Sequence, residues 1–415
     1  MDKYVIRGGK KLSGKVCAES AKNAVLPMIA AAILTEEEVV IKNCPDISDV
    51  KNMAAIVAAL GASVDFCEGD LIINSGKLSS YSVSESFGKE IRTSVLMLGA
   101  LLSRTKKALI SYPGGCDIGL RPIDIHIASL GMLGADIDER GDKLICSAKK
   151  LSGAKLVFPF PSVGATENVM LAASTAEGTT CIYNAAKEPE IKDLADMLVS
   201  MGAKISGAGS SVIEIEGVKK LHGTVYRPTP DRIEAGTFLV AAAVTGGEIE
   251  LGNVKEENIS PLIGKLCDNS CKVTVKNDII YLRSSRARKA FDVITGPYPA
   301  FPTDMQAIAT VLAAVSEGVS VIEDNVFANR FCHAHELAKM GADITLCGNK
   351  AIVRGVQGLC GAEVYAHDLR CGAALVLAGL AAKGKTIVHD IKYIERGYAR
   401  FEEKLRSLGA DIVKK

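Results

Sequence analysis

Leu133-Gly134-Ala135-Asp136-Ile137 is a phrase that the 415-residue chain says six times. It stands also as Leu60-Gly61-Ala62-Ser63-Val64, Met201-Gly202-Ala203-Lys204-Ile205, Met340-Gly341-Ala342-Asp343-Ile344 and Leu408-Gly409-Ala410-Asp411-Ile412, with a degenerate copy at Asn269-Ser270-Cys271-Lys272-Val273. The marked positions 61, 134, 202, 270, 341 and 409 are spaced by 73, 68, 68, 71 and 68 residues. A fixed period of this length means repeated supersecondary units.

Working outward from the phrase, each copy has one internal order. A run apolar on every side comes first: 24–34, 94–102, 168–176, 238–244, 305–315 and 372–382. A helix that is hydrophobic all round must be buried all round. A β-branched stretch follows, as in Glu38-Val39-Val40-Ile41 or Lys385-Thr386-Ile387-Val388,. An amphipathic helix, such as 190–198, then runs into the marked glycine, where a C-cap calls for a left-handed residue. Two short strands close the unit, as at 203–206 and 211–215, with a turn at Gly207-Ala208-Gly209. The unit reads helix–strand–helix–strand–strand, an α/β chain of six units, three to a domain.

The sixth unit stops soon after its Gly-Ala-Asp-Ile, at Lys415. Its missing strands are expected from the other end, where Tyr4-Val5-Ile6-Arg7 and Gly14-Lys15-Val16-Cys17-Ala18 read as a hairpin. The expected domains are residues 22–229, and residues 1–21 with 230–415, with a ligand cleft between them.

Composition narrows the function. With 48% hydrophobic and 23% charged residues the chain can build packed cores,. A net charge of +1, no tryptophan and 5% aromatics give neither the basic field nor the stacking platforms of a nucleic-acid binder,. Met1-Asp2-Lys3-Tyr4 opens no apolar leader, and no apolar run is long enough for a bilayer, so a cytoplasmic protein without membrane insertion is expected,. The twelve cysteines are then reduced thiols,. Cys267 and Cys271, like His333 and His335, lack the further ligands of a closed zinc site. Gly9–Val16 nearly spells a phosphate-binding loop, but Val16 stands where magnesium needs Ser or Thr, and a strand-like segment follows.

Polar clusters interrupt the small-residue pattern just before the buried helices. They include Lys22-Asn23, Arg92, Ser162-Val163-Gly164-Ala165-Thr166, Pro302-Thr303-Asp304 and Asp368-Leu369-Arg370. Ser162, Thr166 or Asp304 taken singly reads as a helix cap. Lys22, Arg92 and Arg370 do not, because a cation at a helix start opposes the dipole unless an anion is bound there. Pro113-Gly114-Gly115-Cys116-Asp117-Ile118-Gly119-Leu120-Arg121-Pro122 sets a thiol in a glycine-rich run with a cation nearby. That is either an ordinary glycine turn or a loop that presents a reactive sulfur.

Together Lys22-Asn23, the Cys116 loop, Ser162–Thr166, Pro302–Gln306 and Asp368–Arg370 resemble the enolpyruvyl transferases of bacterial cell-wall synthesis, end to end. The resemblance implies a two-domain inside-out α/β barrel, helices within and sheets without. It implies transfer of the enolpyruvyl group of phosphoenolpyruvate to the 3-hydroxyl of UDP-N-acetylglucosamine, with release of phosphate and no metal or organic cofactor. The alternatives are shikimate 3-phosphate as acceptor, or a silent nucleotide-sugar-binding paralogue. By the same resemblance Cys116 is the proton donor and Asp304 faces the sugar hydroxyl. Lys22, Arg121, Arg370 and Arg396 form a cationic cage that is complete only when the cleft closes. Asn23, Arg92, Arg121, Pro122, Ile123, Asp124, Ile125, Ser162, Val163, Gly164, Val326 and Asp368 surround the substrates. Some relatives carry lysine where this chain has Phe160, an aromatic that can stack on a base instead.

Overall fold

The computed structural model describes residues 2–415 apart from 113, 115–121, 285, 286 and 328. Cys116 and Arg121 therefore lie outside the described residues. The chain divides into two compact units. One runs from the N-terminus to Glu19 and resumes from Pro230 to Lys415, and the other holds the described residues between Ser20 and Thr229.

Each unit is built around helices that carry almost no polar surface. In the contiguous unit they are Lys22–Ala31, Met97–Thr105 and Val163–Ala173. In the other they are Arg232–Thr245, Gln306–Ala314 and Leu369–Ala381. Every residue from Arg232 to Val244 and from Leu369 to Leu380 is buried. Small side chains allow this crowding. Gly99 N–H donates to Asn168 Oδ1 at 2.6 Å on the facing helix, and a Cβ at Gly99 would stand 2.2 Å from the Asn168 carbonyl oxygen. Outer helices such as Pro189–Ser200 bury one face only, here Ile191, Leu194 and Leu198,.

Six sheets clothe these helices, five of four strands and one of three among the described residues. None closes on itself, so the barrel of the sequence reading is realised as separate sheets around each helical core. The recurring order is visible in the sheet of Glu38–Ile41. That strand pairs antiparallel with Asp70–Asn74, which pairs with Ser63–Cys67. On its other side lies a parallel strand, Thr224–Tyr226. The sequence reading missed this fourth, parallel strand. Three of its copies, Lys155–Val157, Val293–Ile294 and Glu363–Tyr365, are two or three residues long and too short to show alternation.

The expected N-terminal hairpin does not form. Tyr4–Arg7 lies between Lys385–His389 and Asp411–Lys414, antiparallel to both, and so fills the vacant place in the sixth sheet. Ser13–Cys17 goes to a different sheet, parallel to Glu248–Gly252. Ile6 is fully buried in that central position, which a two-stranded hairpin could not provide,.

The marked positions all have positive φ: Gly61 106°, Gly134 99°, Gly202 96°, Gly341 88°, Gly409 94°, and Ser270 72° in the degenerate copy. A serine there carries left-handed strain that glycine does not. Ser270→Gly is expected to stabilise the chain by about 1 kcal/mol, read as a higher denaturation midpoint with unchanged denaturant slope. No described helix is long and apolar enough to cross a membrane.

Candidate functional site

Within the unit of residues 230–415, two cation-bearing segments meet at one carboxylate. Asp304 lies in a single 3₁₀ turn, Thr303–Met305, that leads into the buried Gln306–Ala314 helix. It caps nothing. Instead its Oδ2 accepts from Arg370 at 3.0 Å and its Oδ1 from Arg330 at 2.5 Å. Both guanidiniums are over nine-tenths buried, while Asp304 keeps about a quarter of its side chain open. Burial pushes the Asp304 carboxyl up, but Arg370 and Arg330 outweigh it and hold it far below the usual carboxylate range,. Arg330 also donates to Thr303 Oγ1 at 3.0 Å. Arg370 reaches Tyr398 Oη at 3.3 Å and lies over that ring.

Asp368 explains how an arginine can begin a buried helix. It is the N-cap of Leu369–Ala381, with Oδ1 accepting Arg370 N–H at 2.7 Å and Cys371 N–H at 3.0 Å. The cap satisfies the helix end, and Asp304 neutralises the guanidinium that the dipole opposes. Asp368 Oδ2 accepts from the Cys332 thiol at 3.1 Å. The Cys371 thiol, burial and Asp368 together keep Cys332 protonated. Val326 N–H donates to Asp324 Oδ1 at 2.9 Å, and Asp324 Oδ2 accepts from Thr303 at 2.6 Å, which ties the Val326 loop to the Asp304 turn. Arg396 ends the 3₁₀ segment Ile391–Arg396 and is half-buried.

In the unit of residues 20–229 the predicted residues also cluster at helix starts. Lys22 opens its helix and pairs with Asp49 at 2.7 Å, with side chains 12% and 4% exposed. Asn23 follows it, half-buried. Ser162 caps the Val163–Ala173 helix by accepting Ala165 N–H, and Thr166 donates back to the Ser162 carbonyl at 2.8 Å. Pro122 and Ile123 lead into Asp124 and Ile125, the first residues of the Asp124–Met132 helix.

His126, unforeseen in the sequence, links these pieces. Asn168 Oδ1 is occupied by Gly99 N–H, so its amide nitrogen donates, to Val95 O and to His126 Nδ1, both at 3.0 Å. His126 therefore carries its proton on Nε2. Burial and then the Arg92 charge lower its pKa to about 3, so the ring is neutral. A Cβ at Gly164 would lie 3.0 Å from the ring, which places Gly164 against it. Phe160 is 42% exposed, available as a platform.

Sequence reasoning also missed Arg330, Tyr398 and Asp49. Each lies in a loop or outer helix with no capping conflict to mark it. A second buried pair sits at the start of the Arg232–Thr245 helix. Lys404 bonds Glu234 at 2.7 Å and Glu19 at 3.0 Å, while Glu19 N–H donates to Glu234. Burial pushes Glu234 up to about 7, against the pull of Lys404 and the Glu19 N–H. Its ordinary value is 4.5, so the folded chain holds this proton after the unfolded chain has released it. Stability from this group is greatest at low pH and is lost as pH rises towards 7. Lys404→Met raises the folded pKa further. The variant's loss in melting temperature is expected to be larger at pH 8 than at pH 6.

The family described as EPSP synthase (3-phosphoshikimate 1-carboxyvinyltransferase) matches residues 6–405. A protein named UDP-N-acetylglucosamine 1-carboxyvinyltransferase 2 from Caldanaerobacter subterraneus subsp. tengcongensis is 46% identical over 100% of both chains. One of the same name from Carboxydothermus hydrogenoformans is 48% identical over 99% of each. The solved structure of the enolpyruvyl transferase NikO from Streptomyces tendae matches with a TM-score of 0.91 at 25% identity, covering 100% of this chain and 99% of that one. EPSP synthase from Acinetobacter baumannii shares the fold, with a TM-score of 0.79 at 21% identity over 100% of both chains. With near-half identity along its whole length and helix-start cations in both units, the chain belongs to the enolpyruvyl transferase (EPSP synthase) family and, within it, to the UDP-N-acetylglucosamine 1-carboxyvinyltransferases.

Proposed function

We propose that this chain transfers the enolpyruvyl group of phosphoenolpyruvate to the 3-hydroxyl of UDP-N-acetylglucosamine and releases phosphate, a step of peptidoglycan precursor synthesis in the cytoplasm. The observation that carries the reading is Asp304, a partly open carboxylate held between two buried guanidiniums.

The reaction is an addition followed by an elimination. The sugar hydroxyl adds to C2 of phosphoenolpyruvate while C3 gains a proton, and then C3 loses a proton as phosphate leaves. Cys116 is the proposed donor to C3, and Asp304 the acceptor of the hydroxyl proton. While both arginines hold it, Asp304 is a poor base. An anionic substrate that draws Arg370 towards itself raises the basicity of Asp304 as the hydroxyl attacks. Lys22, Arg121, Arg370 and Arg396 are the proposed cations for phosphate and carboxylate. Asn23, Arg92, Pro122, Ile123, Asp124, Ile125, Ser162, Val163, Gly164, Val326 and Asp368 are the proposed lining. The neutral His126 fixes the position of Gly164 within it. The 22–229 and 1–21 with 230–415 division is the proposed functional one, supported by the compact units that change over at Glu19–Ser20 and Thr229–Pro230.

The test is phosphate release on mixing the protein with both substrates, with the product mass confirming enolpyruvyl transfer. Release only with shikimate 3-phosphate, or nucleotide-sugar binding without release, overturns the proposal. A small phosphonate epoxide is expected to alkylate Cys116 ahead of the other thiols, as read by peptide mass mapping. Labelling spread over the eleven described free cysteines would contradict the role given to Cys116,.

A further inference from the structure

We propose that Cys332, Cys371 and Asp368 form a binding site for a thiophilic divalent cation of the zinc class. Their ligand atoms, two sulfurs and one carboxylate oxygen, all lie within 4.8 Å of one another. In a tetrahedral centre with bonds of about 2.0–2.3 Å, such atoms stand roughly 3.6–3.8 Å apart. Cys332 Sγ and Asp368 Oδ2 are 3.1 Å apart. Small side-chain rotations bring the set to coordination distance.

Three features make the cluster a site rather than a chance meeting. Its frame is fixed: Cys332 opens the Cys332–Lys339 helix, Asp368 caps the Leu369–Ala381 helix and Cys371 lies in its first turn. The carboxylate divides its work, since Oδ1 serves the helix cap and Oδ2 faces the thiols. Access is one-sided, with Cys371 1% and Asp368 4% exposed while Cys332 is only half-buried. Three protein donors leave a fourth position for water, the pattern of an exchangeable centre rather than a closed structural one. On binding, two S–H bonds break, two metal–sulfur bonds and one metal–oxygen bond form, and two protons go to solvent. Two thiolates suit zinc, cadmium or cobalt and disfavour magnesium and calcium.

The site lies at the residue that caps the helix of Arg370, so an occupied centre fixes the start of that helix. The expected result, inhibition of turnover by zinc, rests on the activity proposed above, whereas metal binding does not.

The test is a cobalt(II) titration of the full chain, kept reduced with a phosphine. One equivalent is expected to develop sulfur-to-cobalt charge-transfer absorption and be displaced by zinc. The band should persist in Cys116→Ser and fall at least twofold in both Cys332→Ser and Cys371→Ala, each checked for an unchanged melting profile. A band that survives both substitutions, or a wild-type chain that gives none, overturns the proposal. If the band behaves as expected while no enolpyruvyl transfer is found, the metal site stands and the functional reading falls.

Discussion

Asp304→Asn is expected to reduce turnover by at least about a hundredfold, the range general-base residues contribute, and to lower the melting temperature as well. The substitution keeps the shape of the side chain and one oxygen acceptor, but removes the charge that two buried guanidiniums share. An amide nitrogen must then face Arg330 or Arg370, donor against donor. A hydrogen bond to a charged group contributes about 1.5–3 kcal/mol, so the stability loss should fall in that range. Phosphate release and thermal melts measure the two effects separately. A variant that melts lower yet turns over normally would remove Asp304 from the chemistry and leave it a structural counter-ion.

Arg370→Lys is expected to lower kcat/KM for phosphoenolpyruvate about a hundredfold, with a smaller effect on KM for the nucleotide sugar. Arg370 bonds Asp304 and Tyr398 at once and lies over the Tyr398 ring, geometry that a planar fork provides and an ammonium does not,. Losing about 3 kcal/mol of charge-assisted bonding corresponds to a little over a hundredfold. Because the two side chains form one network, the Asp304→Asn/Arg370→Lys double variant should lose less than the two single losses added together. Strict additivity would show that the ion pair seen here plays no part in the reaction.

The helical cores were legible in the sequence because runs such as 372–382 are apolar on all sides and recur with the marked glycine. Even the degenerate Ser270 was found by its place in the period. Pairing was less legible. Tyr4–Arg7 and Ser13–Cys17 are close in sequence, which suggested a hairpin, yet each completes a distant sheet where its buried side chains find neighbours. Among the candidate site residues, Lys22, Arg92 and Arg370 stand out by sitting where a helix dipole resists cations. Arg330, Asp49 and Tyr398 break no local rule, and only tertiary structure brings them to their partners. Cys332 and Cys371 are likewise 39 residues apart, outside any spacing by which a sequence announces a metal ligand set.

The placement of Tyr4–Arg7 between two C-terminal strands has a consequence for biosynthesis. Residues 20–229 emerge from the ribosome as one uninterrupted stretch and can compact while translation continues. The companion unit must wait, because the strand Tyr4–Arg7 is made before that stretch and both of its flanking strands, Lys385–His389 and Asp411–Lys414, after it. Until residues 385–414 have been made, that early segment stays an unsatisfied edge,. Stalled or truncated products should therefore be more aggregation-prone than the finished chain.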